Sequence, residues 1–369
     1  MALKKTKVVL VSSDFSRSGG IAEVSSQVAD SLRQLSSIDL KILRFPNFNI
    51  LARCVRAFSN VMIKPNDVFF FMHPHIFHFF TKHWPQSERP LTIVWAHGID
   101  VWGNFGKQLA PDLNCANKIL ASSNYTSARI HENFPNANVS VVPLAPFWEP
   151  TFHYRSNSDS FEILTLARLA GSDRYKGHDL VLQALSILKR RGILINYNIV
   201  GRGPDKARLQ TMASEFDISS QVFFHGFLPD EKVCEIFARC SVHVMPSFVV
   251  KNDHDIWSGE GLGLAYLEAA CHGLPSIAAD EGGQLDCIRD GETGYLIPPV
   301  PHVIAARLEY LFKNREKCRQ MGDQARRFVA ENFTHLRFTN TIRRALQEVL
   351  EIKVGPRIIH HPVVTSTSF

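Results

Sequence analysis

The sequence predicts an α/β protein made of two doubly wound domains, each a parallel sheet covered by helices on both faces. With 369 residues, the chain is longer than one hydrophobic core normally accommodates. Short apolar runs alternate with segments of helical periodicity along nearly the whole length, as in βαβ units. The alternation stops once, in the proline- and serine-containing stretch 145–160, and then restarts. We therefore expect a first domain at 1–153 and a second at 154–332.

The first predicted domain begins with a buried strand, KVVLV at 7–11. A loop that ends in Gly19 and Gly20 leads into a helix whose apolar side chains recur on one face. Uninterrupted apolar runs are typical of strands in parallel sheets, because such strands are buried on both faces. Further strands are predicted at 38–43, 67–72, 91–96, 118–122 and 138–142.

The second predicted domain repeats this pattern. Three helices then close the chain, and we expect the last, within 333–352, to pack back toward the first domain. Residues 353–369 have no periodicity and are predicted to be a loose tail. Two such domains in series form a cleft at the carboxyl ends of their strands, where open α/β sheets bind ligands. The strands of the second domain are predicted at 161–167, 193–200, 221–226, 241–246 and 274–279.

Composition and charge exclude several classes of protein. Hydrophobic residues make up 45% of the chain and charged residues 21%, which excludes long disorder and a coiled-coil rod. The net charge of +6 is too small to indicate a nucleic-acid partner. Residues 1–155 hold 16 Lys and Arg against 10 Asp and Glu, whereas the remaining residues hold 25 of each. The first domain can therefore attract an anionic partner, although a solvated surface explains the surplus more simply.

The seven cysteines are scattered, without a Cys-x-x-Cys pair, and indicate neither a zinc site nor a disulfide framework. A reducing, cytoplasmic environment is therefore expected. The apolar run 8–11 is too short for a secretory signal, and no apolar stretch is long enough to cross a bilayer. The segment 47–65 has apolar residues at helical spacing with Arg53 and Arg56 among them. This pattern indicates either a core-facing helix or peripheral contact of the first domain with the inner face of a membrane.

The most informative segment is GEGLGLAYLEAACHGLP at 259–275, in which Glu260 lies in a glycine-rich loop and Glu268 in the helix that follows. If the residues between them are mostly helical, the two carboxylates stand about 12 Å apart along the axis. That separation suits a long ligand, since the paired carboxylates of a glycosidase stand closer together. Gly261 and Gly263 allow backbone N–H groups to approach a ligand, and the helix N-terminus favours an anion. The segment fits a diphosphate flanked by two sugars.

A second segment, LTLARLAGSDRYKGHDL at 164–180, passes from strand through loop to helix. Arg168 falls at the carboxyl end of the strand and Lys176 at the start of the helix, so two cations can neutralise a diphosphate there. Arg174 is a third candidate, and a solvated loop is the alternative interpretation. A third segment, IVGRGPDKARL at 199–209, lacks the last glycine of the dinucleotide fingerprint. It predicts a tight turn near a nucleotide base.

In this order, the segments resemble the retaining glycosyltransferases of the GT-B superfamily that carry a Glu-x7-Glu signature, called glycosyltransferase family 4 or glycosyl transferases group 1. The resemblance covers nearly the whole chain and implies the GT-B fold, in which two Rossmann-like domains face each other across a cleft. Besides the segments above it includes AHGID (96–100), ASSNYTS (121–127), VVPLAP (141–146), FHGFLPDEKV (224–233) and GGQLDCIRDGETGYL (282–296).

The resemblance implies a role for each candidate site residue. Arg168 and Lys176 would bind the donor diphosphate and stabilise the charge on the leaving phosphate. Glu260 would hold the transferred sugar, Glu268 the ribose, and His97 would face the sugar from the first domain. The other donor-binding residues implied are Gly261, Leu262, Gly263 and Leu264 through their amides, Gly19 and Gly20 through close approach, and Arg202 and Phe227 beside the base.

Three departures from the family pattern are visible. Arg168 and Lys176 are spaced more widely than usual, which leaves open whether Arg174 shares their role. Leu262 replaces the more common Phe. Asp286 stands near the position where a Glu usually follows the Gly-Gly pair. None of these departures alters the core signature.

The implied reaction moves a hexose from a nucleotide-diphosphate sugar to a saccharide or lipid-linked acceptor hydroxyl, with retention, in polysaccharide or glycoconjugate biosynthesis. A UDP-sugar resembling UDP-glucose is the favoured donor and GDP-mannose the alternative. Positive charge on the protein takes the role of a metal, so neither a metal nor another cofactor is expected. A nucleotide-sugar epimerase would need groups that remove a sugar proton, and no evident pair exists. A non-catalytic nucleotide-sugar-binding protein would be expected to have lost one of the site residues.

Four histidines, His73, His75, His78 and His83, occur in FFFMHPHIFHFFTKHW at 69–84. No cysteine or carboxylate accompanies them, which disfavours a metal site. We expect a buried strand followed by a loop that enters the cleft, with one or two of the histidines near the acceptor.

Overall fold

A computed structural model describes residues 5–13, 20–44, 67–84, 89–150 and 160–352. Gly19, the segment 47–65 and the tail 353–369 lie outside the described residues. Within the described residues, two six-stranded parallel sheets with packed helices follow one another along the chain. The predicted class, a GT-B fold of two Rossmann-like domains, is confirmed.

The first sheet has the strand order β2-β1-β3-β4-β5-β6. Its middle strands are buried on both faces: Phe70 packs in the core on one side of the sheet, whereas Phe69 and Phe71 pack in the core on the other side. The strands are β1 Thr6–Ser12, β2 Ile38–Arg44, β3 Val68–Phe71, β4 Leu91–Ala96, β5 Lys118–Ala121 and β6 Val139–Val141. The described helices of this domain are α1 Gly20–Arg33, α2 Pro74–His83, α3 Gly103–Leu113 and α4 Asn124–Asn133.

The second sheet has the strand order β14-β13-β10-β7-β8-β9. Its strands are β7 Glu162–Leu166, β8 Asn196–Val200, β9 Val222–Gly226, β10 Val242–Met245, β13 Ser276–Ala279 and β14 Gly294–Ile297. An antiparallel hairpin of β11 Val250–Lys251 and β12 Trp257–Ser258 is inserted after β10. The helices are α5 His178–Arg190, α6 Lys206–Glu215, α7 Asp230–Arg239, α8 Leu264–Cys271, α9 Pro301–Lys313 and α10 Arg315–Asn332.

The strand order of each sheet determines where a ligand can bind. It reverses between β1 and β3 in the first sheet and between β7 and β10 in the second. Such a reversal opens a crevice at the carboxyl ends of the two strands. Ser13 and His73 follow those ends in the first domain, and Arg168 and Ser247 lie just beyond them in the second.

The last helix, α11 His335–Ile352, lies against the first domain. The hydroxyls of Ser31 and Thr339 are 2.9 Å apart, and the rings of Trp95 and Phe338 are 6.0 Å apart. Nζ of the buried Lys118 donates to Glu348 at 2.6 Å. The chain therefore crosses back after completing the second sheet and covers the first.

The prediction of a loop after β3 is wrong, because residues 74–83 form α2. The side chain of His73 caps this helix by accepting a hydrogen bond from the backbone N of His75 at 3.2 Å. Pro74 occupies the first turn, where the missing N–H would have no helical partner. Ile76 and Phe77 are buried in the core below, so the run continues as an amphipathic helix.

Candidate functional site

A cavity of about 1060 Å³ lies between the carboxyl ends of the two sheets and is lined by both domains. The structure does not place all the predicted residues there: Glu268, Arg202 and Phe227 are not among its lining residues, and Gly19 is not described. The predicted residues that line it are Gly20, His97, Arg168, Lys176, Glu260, Gly261, Leu262, Gly263 and Leu264.

Lys176 and Glu260 form a largely buried ion pair on the second-domain wall of the cavity. Nζ of Lys176 donates to Oε1 of Glu260, which also accepts from Ser247 Oγ at 3.5 Å. Burial opposes the charged form of Lys176, but the attraction of Glu260 outweighs it and raises the pKa of the ammonium group. Because an ammonium group has three N–H donors, Lys176 can bind a further anion while it stays paired.

The two arginines of this segment contact different acids. Arg168 lies at the rim of the cavity, 77% exposed, with Nε 3.2 Å from Oδ2 of Asp173. Arg174 is turned toward Asp205, whose Oδ1 accepts from its Nη2 at 3.0 Å. Hydrogen bonds from Arg208 and then from Arg174 lower the pKa of Asp205 and keep it ionised. Arg174 does not line the cavity, which favours Arg168 and Lys176 as the phosphate-binding cations.

Gly98 and Gly261 bring the backbones of the two domains into direct contact. A Cβ atom on Gly98 would lie 2.6 Å from Cα of Gly261, and one on Gly261 would lie 1.8 Å from the carbonyl oxygen of His97. A larger residue at either position would push the cavity walls apart. The sequence indicated that Gly261 serves ligand approach, and the structure adds this second reason for glycine.

His97 faces the cavity from the loop after β4 as a neutral imidazole. Its Nε2 lies 2.7 Å from the carbonyl oxygen of Met72, which can only accept, so Nε2 carries the proton and Nδ1 is an acceptor. Burial lowers the pKa of His97. Asp100 shapes this loop by accepting hydrogen bonds from the backbone N of His97 at 3.1 Å and of Gly98 at 2.6 Å.

Two of the four clustered histidines, His73 and His75, also line the cavity. Their ring centroids are 5.2 Å apart, and those of His73 and His97 are 6.3 Å apart. Burial lowers the pKa of both. His78 is instead paired with Asp112 outside the cavity. The first-domain wall is therefore rich in hydrogen-bonding groups that carry no charge at neutral pH.

Glu268 lies half-buried in α8 beside the cavity rather than in its lining. Burial, followed by repulsion from Glu23 and Asp230, raises the pKa of its carboxyl group to about 7. Glu23 comes from α1 of the first domain and accepts from Nε2 of Gln27 at 3.1 Å. Glu268 makes no side-chain hydrogen bond with another described residue, so its carboxylate is available to a ligand.

Arg202 and Phe227 form a second projecting group. The guanidinium of Arg202 lies 5.3 Å from the ring centroid of Phe227, which is 73% exposed. The glycines of this turn serve backbone packing, since a Cβ on Gly201 would lie 1.8 Å from the carbonyl oxygen of Ala167. The backbone N of Leu169 donates to the carbonyl oxygen of Arg202 at 3.0 Å. The turn therefore braces the segment that carries Arg168.

Two contacts that the sequence did not reveal join the domains near the cavity. Oδ2 of Asp286 accepts from the backbone N of Asn124 at 2.7 Å, at the N-terminus of α4. The β11–β12 hairpin reaches the first domain, where Trp257 packs against the core and Asp255 accepts from Nζ of Lys107 at 2.6 Å. A short polar stretch, 251–255, between the apolar runs 248–250 and 256–257 was the available signal for a hairpin.

The structure also places Tyr175 in the cavity lining, beside the cations that were predicted from the same segment. An aromatic residue directly before Lys176 was the available signal. Among the described residues, no group of three or more His, Cys, Asp or Glu is arranged to hold a metal ion. None of the described helices is long and apolar enough to cross a membrane.

Comparison with known families assigns the second domain. The family model of glycosyl transferases group 1 matches residues 147–328, which include the second sheet and the Lys176–Glu260 pair. The second domain belongs to this family. The resemblance inferred from the sequence motifs is thereby confirmed at the level of the family.

Two individual relatives are similar to part of this chain. It is 29% identical over 232 residues to a GDP-mannose-dependent alpha-(1-6)-phosphatidylinositol monomannoside mannosyltransferase of Mycolicibacterium smegmatis, over 60% of this chain and 59% of that protein. It is 27% identical to the putative colanic acid biosynthesis glycosyltransferase WcaL of Salmonella typhimurium, over 51% of this chain and 45% of that protein. The chain thus aligns with about half the length of these curated relatives.

A solved structure has the same fold over most of the chain. Anabaena HepE, crystallised with UDP and glucose, superposes with a TM-score of 0.71 at 16% identity, covering 93% of this chain and 99% of that one. At this identity the similarity establishes the fold.

Proposed function

We propose that this protein is a retaining glycosyltransferase that moves a hexose from a nucleotide-diphosphate sugar to a saccharide or lipid-linked acceptor. The observation that carries the proposal is the Lys176–Glu260 pair, buried at the switch point of the second sheet and facing neutral His97 across the cavity. Nucleotide-linked ligands bind at such switch points. The cation matches the diphosphate of a nucleotide sugar, the carboxylate matches its hexose, and the hydrogen-bonding wall matches the acceptor.

The positive charge of Lys176 and Arg168 supplies the main catalytic effect in this proposal. Negative charge grows on the diphosphate as its bond to the sugar breaks, and fixed cations in a partly buried site stabilise that charge most in the transition state. Burial of Lys176 strengthens the effect because less water screens it. With this charge supplied by the protein, the reaction needs no metal ion.

Glu260 and Glu268 hold the two sugars of the donor. Glu260 keeps its second carboxylate oxygen for hydroxyls of the hexose, since its Oε1 is used by Lys176. Glu268 accepts hydrogen bonds from the ribose, and the exposed Phe227 and Arg202 can stack on the base. His97 accepts a hydroxyl hydrogen through Nδ1 and positions the hexose, while His73 and His75 lie toward the acceptor.

A UDP-sugar is the favoured donor, and GDP-mannose is the second candidate. HepE, which has the same fold, was crystallised with UDP and glucose. The mycobacterial relative is named for GDP-mannose and a phosphatidylinositol acceptor, and WcaL for polysaccharide biosynthesis. These names support a UDP-sugar or GDP-mannose as the donor, and a saccharide or a lipid-linked molecule as the acceptor.

A lipid-linked acceptor would bring the first domain to the inner face of a membrane. The basic segment 47–65 would then bind anionic lipid. Sedimentation with vesicles of anionic lipid tests this: the double variant Arg53→Glu/Arg56→Glu should bind less than the wild type. Absent or salt-insensitive binding of the wild type would refute it.

The donor is tested first by thermal shift with UDP, GDP and ADP, because a ligand that binds only the folded state raises the midpoint. UDP should give the largest shift, whereas a larger shift with GDP would select the mannosyl alternative. Incubation with UDP-glucose or GDP-mannose and candidate acceptors then separates hexose transfer from epimer formation and from binding without turnover.

Stereochemistry and metal use need their own measurements. The anomeric proton coupling of the product should match that of the donor, and activity should survive EDTA. An inverted product or an EDTA-sensitive rate would contradict the retaining, metal-independent mechanism.

A further inference from the structure

Tyr175 is held in place by the backbone of its own segment. It lies in a 3₁₀ turn, Gly171–Lys176, that fills the unusually long interval between Arg168 and Lys176. The backbone N of Phe248 donates to the carbonyl oxygen of Tyr175 at 3.0 Å. The turn ends at Gly177, whose left-handed conformation (φ 78°) brings it against Pro246. The tyrosine is therefore fixed at the cavity wall by contacts on both sides.

The hydroxyl of Tyr175 has no partner among the described residues, although its ring is half-buried in the cavity wall. Other buried tyrosines are satisfied within the protein: the hydroxyl of Tyr197 is 2.8 Å from Thr165 Oγ1, and that of Tyr266 donates to the carbonyl oxygen of Met245 at 2.5 Å. Tyr175 is a residue of the cavity lining, so its hydroxyl, which no described residue uses, is free to donate to a ligand atom.

The charges around Tyr175 indicate what that atom is. Nζ of Lys176 lies 5.2 Å from the centroid of the tyrosine ring, and Arg168 lines the same wall. The nearby carboxylates of Glu260 and Asp173 are already engaged by these two cations. Burial, and then repulsion from Glu260, raises the pKa of Tyr175 to about 12, so the hydroxyl is a donor at neutral pH. A neutral donor on the same wall as two cations suits an anionic oxygen.

We propose that the hydroxyl of Tyr175 donates a hydrogen bond to the terminal phosphate of the donor's diphosphate, beside Lys176 and Arg168. This rests on the proposed function and extends it, since the extra residues of the 3₁₀ turn bring a third phosphate ligand that the resemblance did not imply. The turn also directs Arg174 outward to Asp205, so the longer loop adds a neutral donor to the cavity and no third cation.

Calorimetric titration of wild type and Tyr175→Phe with a nucleoside diphosphate and the matching monophosphate tests the proposal. A hydrogen bond to a charged group contributes about 1.5–3 kcal/mol, so the Kd of the diphosphate should rise by roughly 10- to 100-fold. The Kd of the monophosphate should change less than about twofold, since it lacks the terminal phosphate. Tyr310→Phe, which removes an exposed tyrosine hydroxyl on α9, is the matched control and should change neither.

Each outcome decides between the proposals. If the wild type binds no nucleoside diphosphate, the proposed function and the role of Tyr175 both fail. If the wild type binds but Tyr175→Phe binds equally well, or loses affinity equally for both ligands, only the role of Tyr175 fails. The melting temperature of Tyr175→Phe without ligand should stay within about 2 °C of the wild type, because the lost hydroxyl makes no hydrogen bond to a described residue.

Discussion

The two walls of the cavity differ in charge, although each is built at the switch point of a parallel sheet. The second-domain wall carries Arg168 and the Lys176–Glu260 pair. The described residues of the first domain that line the cavity include no lysine or arginine, and the imidazoles of His97 and His73 are kept neutral by burial. One scaffold therefore provides a wall with fixed cations for a leaving group, here called the ionic wall, and a wall of uncharged imidazoles for hydroxyls, here called the neutral wall.

This difference follows from the hydrogen bonds that the residues of each wall already make within the protein. In the first domain, the carbonyl oxygen of Met72 accepts from His97 Nε2, and the carboxylate of Asp100 is used by two backbone N–H groups. Asp100 is the only acidic residue among the described first-domain residues that line the cavity, and its carboxylate is used by the backbone of its own loop. In the second domain, Lys176 and Glu260 meet side chain to side chain, and both keep hydrogen-bonding capacity for a ligand.

The largest expected effect comes from removing the charge of the ionic wall. Lys176→Ala should lower kcat about 10²- to 10³-fold, because the lost interaction is strongest when the phosphate departs. Steady-state transfer assays measure this, and Lys189→Ala on the surface of α5 should leave kcat unchanged. Near-normal turnover would contradict the role of Lys176.

A second variant separates catalysis from stability at this site. Lys176→Ala leaves the buried Glu260 uncompensated and should also destabilise the fold. The double variant Lys176→Met/Glu260→Gln removes both charges and should recover stability in thermal unfolding without recovering turnover. Recovery of both would show that the single variant acts through folding alone.

The neutral wall is tested by His97→Ala. Loss of one positioning hydrogen bond at the reacting sugar should lower kcat by roughly 10- to 100-fold. The Kd of the nucleoside diphosphate should stay within about twofold, since the phosphates contact the opposite wall. His131→Ala, at the end of α4, is the control. A large loss of nucleotide affinity in His97→Ala would show that the neutral wall also binds the nucleotide, which would contradict the separate roles proposed for the two walls.

The sequence predicts the cations of the ionic wall but only some of the residues that build the neutral wall. Arg168 and Lys176 could be predicted because cations at a strand end and a helix start are visible in a linear pattern. The role of Met72 could not, since its carbonyl becomes a partner of His97 only when β3 and β4 lie side by side. The helix at 74–83 was missed because the capping side chain is a histidine, which is an uncommon N-cap. Asp286 acts on a helix of the other domain, a contact that no local pattern encodes.

Replacing Glu268 should have opposite effects on the stability of the fold and on the affinity for nucleotide. Its pKa is raised from about 4.5 to about 7 in the folded protein, so the folded state binds its proton more tightly than the unfolded state. The contribution to the free energy of unfolding is therefore greatest below pH 4.5, falls as the pH rises to 7, and is constant above that. Glu268→Gln should be more stable than the wild type at pH 8, by about 1–3 kcal/mol, with the difference vanishing near pH 4.5.

The same variant should bind nucleotide less well. Replacing the carboxylate removes the acceptor proposed for the ribose, and the Kd of the nucleoside diphosphate should rise about 10-fold. Chemical denaturation at pH 5 and pH 8 and calorimetry at pH 8 provide the two readouts, with the exposed Glu331→Gln as control. Stability that does not depend on pH in this comparison would contradict the raised pKa, and unchanged nucleotide affinity would remove Glu268 from the donor site.

The smallest effect is expected where the two walls are joined. Trp257 of the hairpin packs against the first domain, under the guanidinium of Arg129 at 4.8 Å, and lies three residues before Glu260. Trp257→Ala should lower kcat about fivefold by loosening the approach of the walls, while nucleotide affinity, which depends on the ionic wall alone, should be kept. Lys107→Ala breaks only the exposed ion pair to Asp255 in the same contact and should change kcat less than about twofold. If Trp257→Ala weakened nucleotide binding as much as turnover, the hairpin would act on the second domain itself rather than on the junction.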